Sequence, residues 1–450
     1  MRLFSGLRSV LLASGAFGAL MCSTGLAQAG GFAVREQSTE FQGMSFAGNA
    51  AGGGGLSGMF WNPAVAAFAP AGIYTESHFA TIIGRVEITG DAFAGAANLG
   101  LGRESGDIAK DAIVPSSYLS YRISNNLVFA FGTNSPFGLV TEPSNRAWAG
   151  QTFARTSEIK TYNFNPTLAY RVSSTIAIGV GLQIEHIEGR LKNSFGFTPA
   201  AALAPTALNS VIQGDDTAFG FTAGINIQPF SGTHIGLGYR SAIHHTLEGT
   251  IAIPGSAVAP AASGPGIKAA VSMPEIVTLS LRQAVSSSWT VLGTVEWTNW
   301  SRAERLNVVC ANTAANAAFC PNGNGQLVRA LELGWHDSWF MSLGAEHRYS
   351  EKLTLRGGVA YEISPVQNAT ERTLRTPDMN RLWASVGATY KWNDKIALDM
   401  AYTHIFGVGD DAIDRTEGGI RFLGHVDSQV DIVSGSLKIK FGHDHHEALK

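Results

Sequence analysis

The sequence predicts an all-β protein: a fourteen-stranded antiparallel transmembrane β-barrel with an N-terminal hatch in its lumen. Three observations carry that expectation. From about residue 72 onward, apolar and polar residues alternate with a period of two. Short polar turns and long irregular segments take turns between the strands. Glycine is abundant, 52 of 450 residues, while charged residues reach only 15%, against roughly 25% in average proteins.

The N-terminus sets the compartment. Arg2 and Arg8 flank a basic start, Val10 to Leu20 form an apolar core, and Ala27-Gln28-Ala29 supplies a small-x-small cleavage site, the pattern of a secretory signal peptide. Residues 1–29 are therefore expected to be removed, leaving a mature chain that starts near Gly30. Cys22 follows Met21, where a lipoprotein site needs Gly, Ala or Ser, so no lipid anchor is expected. Beyond the signal, no run approaches the roughly 18 apolar residues of a spanning helix. A net charge of −3 offers no footprint for nucleic acid.

Residues 30–71 lack the alternation. Gly52-Gly53-Gly54-Gly55 precedes an apolar knot, Met59-Phe60-Trp61-Asn62-Pro63-Ala64-Val65. A fourteen-stranded lumen is wider than wall side chains alone can fill, so this segment reads as a hatch that plugs it.

Residues 72–441 carry the barrel. Leu353, Leu355, Gly357, Val359 and Tyr361 alternate with Thr354, Arg356, Gly358, Ala360 and Glu362. Val433, Gly435, Leu437, Ile439 and Phe441 alternate with Ser434, Ser436, Lys438 and Lys440. Six short turns lie near Ser124-Asn126, Ser173-Ser174, Pro229-Gly232, Ser286-Ser288, Ser350-Glu351 and Asn393-Asp394. They interleave with seven long segments at roughly 85–111, 136–150, 193–214, 252–266, 307–326, 364–377 and 408–425, which requires fourteen strands. An even count with short turns at one end and long loops at the other is the bacterial outer-membrane pattern. A soluble β-sandwich or propeller also alternates, but need not segregate its loops in this way.

The membrane then sets the register. An Arg or Lys facing lipid at mid-depth costs roughly 2–4 kcal/mol, so Arg356, Lys438 and Lys440 are expected to point inward or lie at an interface. Tyr390, Trp392 and Trp289 are expected in the periplasmic aromatic belt, and Trp297 and Trp300 in the opposite one. Cys310 and Cys320 share one polar segment of an exported chain, which favours a disulfide staple over a metal site. Residues 442–450, with His443, Asp444, His445 and His446, read as a solvated polar tail; no functional metal is expected.

At Asn62-Pro63-Ala64, and again at Ser135-Pro136-Phe137-Gly138-Leu139, Tyr239-Arg240-Ser241, Trp297-Thr298-Asn299-Trp300-Ser301 and Asn380-Arg381-Leu382-Trp383, the chain resembles the FadL family of outer-membrane transporters. Members of that family take up long-chain fatty acids or aromatic hydrocarbons. The resemblance spans the mature chain and implies a fourteen-stranded barrel with a hatch bearing Asn62, Pro63 and Ala64. It also implies a route: a hydrophobic ligand is captured outside, passes to an inner pocket and leaves sideways through a gap in the wall.

Candidate site residues follow. Asn134, Ser135, Pro136, Phe137 and Gly138 mark the candidate gap, because Pro136 cannot donate to a ladder and Gly138 tolerates a sharp bend. The competing reading is that Pro136 simply begins a loop, and the family's inward kink in this strand favours the gap. Phe60, Trp61 and Phe68 are candidate pocket walls, or else pack the hatch into the barrel. Asn62 and Pro63 are expected to fix the hatch conformation, since Pro63 restricts Asn62 to an extended backbone. Arg190 and Lys192 are candidate partners for a ligand carboxylate, which needs one in a poorly hydrated pocket; the alternative is that they are exposed charges at a loop base. Where some family members place a lysine before the aspartate that opens the tenth strand, this chain has His336-Asp337. A histidine is only partly charged near neutrality, which keeps neutral hydrocarbons in play.

No HExxH, GxSxG or phosphate loop occurs, so neither enzymatic chemistry nor a cofactor is expected. The function expected is uptake of hydrophobic compounds, long-chain fatty acids foremost, with an aromatic hydrocarbon channel or a general porin for polar solutes as alternatives. The expected surroundings are outer-membrane lipid and lipopolysaccharide, a hydrophobic small-molecule ligand and the outer-membrane assembly machinery, for a monomeric chain.

Overall fold

Strands whose side chains alternate between lipid and lumen must pair every backbone group within the sheet, and this chain does so by closing the sheet on itself. The computed structural model describes residues 30–195, 204, 207–254, 266–303, 305–312 and 320–441. The expected signal peptide and C-terminal tail lie outside the described residues. No described helix is long and apolar enough to cross a membrane.

Fourteen antiparallel strands form the wall. The first four are β1 (Ile73–Ala94), β2 (Ala112–Arg122), β3 (Leu127–Asn134 and Gly138–Thr141) and β4 (Thr156–Arg171). Next come β5 (Ile176–Phe195), β6 (Leu208–Phe230), β7 (Thr233–Arg240 and Ile243–Ala252) and β8 (Ile267–Met273 and Ile276–Ala284). β9 (Trp289–Thr298), β10 (Ser338–Arg348) and β11 (Leu353–Ile363) follow. β12 (Asn380–Lys391), β13 (Ile396–Val408) and β14 (Ile420–Phe441) complete the wall. β1 and β14 pair over their whole length, from Ile73 opposite Phe441 to Ala94 opposite Ile420, and this seam closes the barrel.

Parity behaves as the bilayer demands. On β5, Ile178, Val180 and Leu182 are exposed outward while Ala177 and Gln183 are buried. On β14, Val433 and Leu437 face out, and Ser434, Ser436 and Lys438 face in. Arg356 is buried in the lumen, paired with Glu40 at 3.0 Å and Glu346 at 2.8 Å. Tyr390, Trp392 and Trp289 are exposed beside the short turns. Trp300 departs from expectation. It lies in a 3-10 turn, Trp300–Ala303, and is buried against Phe32 and Trp335 with ring centroids at 4.7 and 5.1 Å, so it belongs to the lumen rather than to a belt.

Two expected loops are largely strand. β1 continues to Ala94 and turns back through Ala97–Asn98 and Glu104–Asp107, and Ala412–Glu417 pairs with β14. A strand of 22 residues is about twice what a tilted crossing needs. Above the bilayer the outward face is no longer selected for apolarity, so pairing persists where alternation fades. Cys310 and Cys320 are joined by a disulfide beside the outer hairpin formed by Arg305–Cys310 and Leu327–Glu332.

Candidate functional site

Residues 30–72 occupy the lumen. Apart from a few positions near Gly53 and at the approach to β1, they are buried. Their regular structure is one short helix, Thr39–Gln42, capped by the Ser38 side chain, and two 3-10 turns, Leu56–Phe60 and Pro63–Phe68. Asn62 caps the second turn from an extended backbone (φ −144°), with its Oδ1 accepting from Ala64 N at 3.0 Å. The Asn62 amide also donates to Ala50 O at 2.7 Å and Ile225 O at 3.0 Å, tying turn, hatch and wall together. Asn62-Pro63-Ala64 is thus a structural clasp. The wall meets it with glycine: a Cβ on Gly238 would lie 1.8 Å from Trp61 O, closer than any contact permits.

Phe60, Trp61 and Phe68 pack the hatch rather than line a pocket. Trp61 sits among Phe41, Phe46 and Phe60, the Arg240 guanidinium lies over the Phe60 ring at 4.3 Å, and Phe68 lies 5.3 Å from the Arg171 guanidinium.

The wall is interrupted at β3. Its lower piece pairs with β2 only as far as Ser117 opposite Thr133, so residues 112–116 of β2 have strand partners on β1 alone. The upper piece pairs with β4, after a one-residue slip between Asn134 opposite Asn163 and Gly138 opposite Lys160. Contact between the two sides resumes higher up, at the bridge of Ala109 with Thr141. Asn134, Ser135, Pro136, Phe137 and Gly138 therefore lie at a break in the pairing of the wall. Pro115 on its other edge, which also lacks an N–H donor, was a sequence signal left unread. Ile113 on β2 and Phe164 on β4, both exposed outward, place the break within the apolar band.

The N-terminal segment covers this break from inside. Val34 N donates to Pro136 O and Gly138 N to Phe32 O, each at 2.8 Å. The Gln37 amide donates to Ser135 O at 2.8 Å, and Gln37 O accepts from Ser116 Oγ and Tyr118 OH on β2. On the β3 side Ser135 O, Pro136 O and Gly138 N are thus paired by residues 32–37, whereas on the β2 side only the side chains of Ser116 and Tyr118 reach this segment. No local pattern around Gln37 signalled this role.

Above the hatch, a narrow apolar slot lies between β4 to β8 and the outer hairpin. Ile159, Ile187, Leu191, Leu247, Met273 and Val308 line it, and it encloses about 80 Å³. Four of these wall residues, Ile159, Ile187, Leu247 and Met273, also pack with an aromatic cluster of Phe32, Phe137, Trp300 and Trp335, so the apolar surface runs from the slot to the break in β3.

Of the three expected cationic ligand groups, Arg190 borders the slot, and Lys192 and His336 are not among its lining residues. Arg190 and Lys192 share the outward parity of Leu182 on β5, above the apolar band. His336 is half-exposed and pairs with Glu371 at 3.2 Å. Among the buried or half-buried cations of this region are Arg155, Arg329 and Arg375, none marked by any alternation. Arg375 is buried, and its guanidinium donates to Ser157 Oγ at 3.0 Å, Thr156 O at 3.3 Å and Asn193 Oδ1. Burial with neutral partners pushes its pKa down, with Arg329 nearby acting in the same direction.

A sequence model described as outer membrane protein transport protein (OMPP1/FadL/TodX) matches residues 20–441. The chain belongs to this family. It is 25% identical to outer membrane protein P1 of Haemophilus influenzae over 429 residues, covering 86% of this chain and 88% of that one. It is 24% identical to a long-chain fatty acid transport protein of Escherichia coli O6:H1 over 415 residues, covering 84% and 87%. Its fold superposes on a Pseudomonas aeruginosa FadL homologue with a TM-score of 0.80 at 22% identity, covering 92% and 100% of the two chains. This FadL-family member is an outer-membrane transporter of hydrophobic compounds and not an enzyme.

Two buried ion-pair clusters latch its hatch to the wall. Arg35 pairs with Glu296 and, at 3.2 Å, with Glu362, while Arg381 holds Asp378, whose carboxylate accepts from Gly31 N at 2.8 Å. Deeper in the lumen, Glu40 joins Arg356 on β11 and Lys438 on β14, and Lys438 also reaches Asp399 at 3.0 Å. Such clusters add little net stability over apolar packing, but removing one member strands the others and costs about 3–5 kcal/mol. They fix where the hatch sits.

Proposed function

We propose that the protein takes up long-chain fatty acids, capturing them in the apolar slot and releasing them sideways between β2 and β3 into the outer membrane. The observation that carries this reading is the break in pairing between β2 and β3, where residues 32–37 rather than the wall pair with Ser135, Pro136 and Gly138. Phe32 lies between Phe137 at the break and Trp300, at 6.1 and 4.7 Å. Withdrawing residues 30–37 joins slot and break by an apolar path, along which each CH₂ kept from water is worth about 0.8 kcal/mol. The slot's 80 Å³ is smaller than a cavity of about 150 Å³ that holds benzene, so cargo must displace side chains to enter. That coupling makes the cargo itself the trigger. The fatty acid substrate is supported by the relatives that carry that name.

Uptake of aromatic hydrocarbons is the second reading, favoured by the small slot and by His336 at the place of a lysine. Growth on oleate and on toluene is to be compared in deletion strains with and without the protein. Restoration on oleate supports the first reading and restoration on toluene alone the second. Enhanced passage of small sugars, with neither restored, would refute both.

A further inference from the structure

We infer that Arg375, with Arg329 beside it, is the recognition site for the anionic head of the cargo, and that this pair selects a carboxylate over a neutral hydrocarbon. The inference rests on the uptake reading above and adds the residues that read the substrate's polar end.

Placement is the first argument. Ser157 and Asn193, which hold the Arg375 guanidinium, stand two residues above Ile159 and Leu191 on the inward faces of β4 and β5. Ser157 is the cross-strand partner of Leu191, and two residues along a strand span about 6.6 Å, so the guanidinium stands at the outer rim of the slot, beside its apolar lining. Arg329 approaches from the other side. It is the cross-strand partner of Val308, a slot residue, and cross-strand partners share a face. Arg375 and Arg329 thus stand next to residues that line the slot, Leu191 and Val308, without themselves forming its wall.

Charge is the second. Among the described residues no carboxylate comes within ion-pair distance of Arg375. The nearby Glu417 is already shared by Arg329 at 3.6 Å and Arg415 at 3.3 Å, leaving three guanidiniums around one carboxylate. A buried cation held only by neutral acceptors is costly. A carboxylate matches the planar guanidinium fork, and bidentate pairing is the strong form of this contact. An incoming fatty acid would take the place of Asn193 Oδ1 and Ser157 Oγ and leave its chain pointing down the slot. A hydrocarbon would gain nothing from either arginine.

The test uses the full mature chain in lipid nanodiscs, with a fatty acid carrying a fluorophore at its methyl end and the alcohol of the same chain as probes. Arg375→Gln, which retains hydrogen bonding to Ser157 and Asn193, is expected to weaken the acid about ten- to a hundredfold, the range of a charge-assisted contact, and to leave the alcohol within twofold. Arg375→Lys is expected to keep most acid binding. Arg329→Gln is expected to weaken the acid less, again without moving the alcohol, and it carries the test if Arg375→Gln fails to assemble. Equal losses for acid and alcohol, or no loss for either, would overturn the inference. If the variants leave acid binding intact while cells still import both probes, only the head-group assignment falls; if the unsubstituted protein imports neither, the uptake reading falls with it.

Discussion

Replacing Gln37 with leucine tests how the break between β2 and β3 is covered. The substitution keeps volume and removes the amide, which donates to Ser135 O at 2.8 Å and Val34 O at 3.1 Å. Contacts made by the Gln37 backbone with Ser116 and Tyr118 are untouched. Each lost hydrogen bond nets about 1 kcal/mol, and a buried carbonyl left without a donor costs about 1–3 kcal/mol. The closed arrangement should therefore weaken by about 2–4 kcal/mol, or roughly 30- to 700-fold in the opening equilibrium at about 1.4 kcal/mol per tenfold. Hydrogen exchange read by mass spectrometry measures this directly, since local opening reports its own free energy. Amides in residues 30–38 should exchange faster by that factor, while those of β1 and β14, paired along the closing seam, should not change. Unaltered exchange in 30–38 would refute the argument that this amide holds the cover in place. Acceleration throughout the barrel would refute the separation of hatch from wall.

Other substitutions probe the remaining links. Rebuilding Pro136-Phe137-Gly138 as a regular strand sequence should let β3 pair with residues 112–116 of β2 and abolish uptake with assembly intact; normal uptake would end the lateral-route reading. Gly238→Ala puts a methyl group where Trp61 O now lies, so the hatch must move, and planar-bilayer conductance should rise while the folded barrel still migrates as such on gels. Glu36 is buried and its pKa is pushed up to about 7, chiefly by burial and further by Glu362, against the pull of Arg35. Its contribution to docking is complete below about pH 4.5 and is lost as pH rises through about 7, so exchange in 30–38, corrected for intrinsic rates, should rise across that window and lose the dependence in Glu36→Gln. Reducing the Cys310–Cys320 disulfide should loosen the hairpin that carries Arg329 and weaken binding of the carboxylate probe more than that of the alcohol.

Much of the architecture was legible because the bilayer writes it into every second residue. Val433 and Leu437 had to face lipid and Lys438 the lumen, and loop spacing counted fourteen strands correctly. Where the wall rises above the membrane that rule lapses, so the hairpins at 85–111 and 408–425 read as loops. Trp300 was misplaced for a related reason, since an aromatic near a strand end fits a belt equally well until a following turn folds it inward onto Phe32.

The site divides the same way. Pro136 and Gly138 announced the break in β3 through backbone chemistry that belongs to the residues themselves, and Asn62-Pro63 announced a fixed turn. The cationic groups did not announce themselves: Arg190 and Lys192 sit at even positions of a strand whose odd positions face in, while Arg375 lies on a loop with no period to read. The sequence by itself determined the barrel, its strand count and the location of the weak point in its wall, because lipid, hydrogen bonding and proline act on each residue locally. Only the tertiary structure decided that residues 32–37 pair with the β3 edge of that weak point and that Thr156, Ser157 and Asn193 hold Arg375. Those pairings join segments about 100 and 180–220 residues apart, and a hydrogen bond between distant segments leaves no periodicity in either of them.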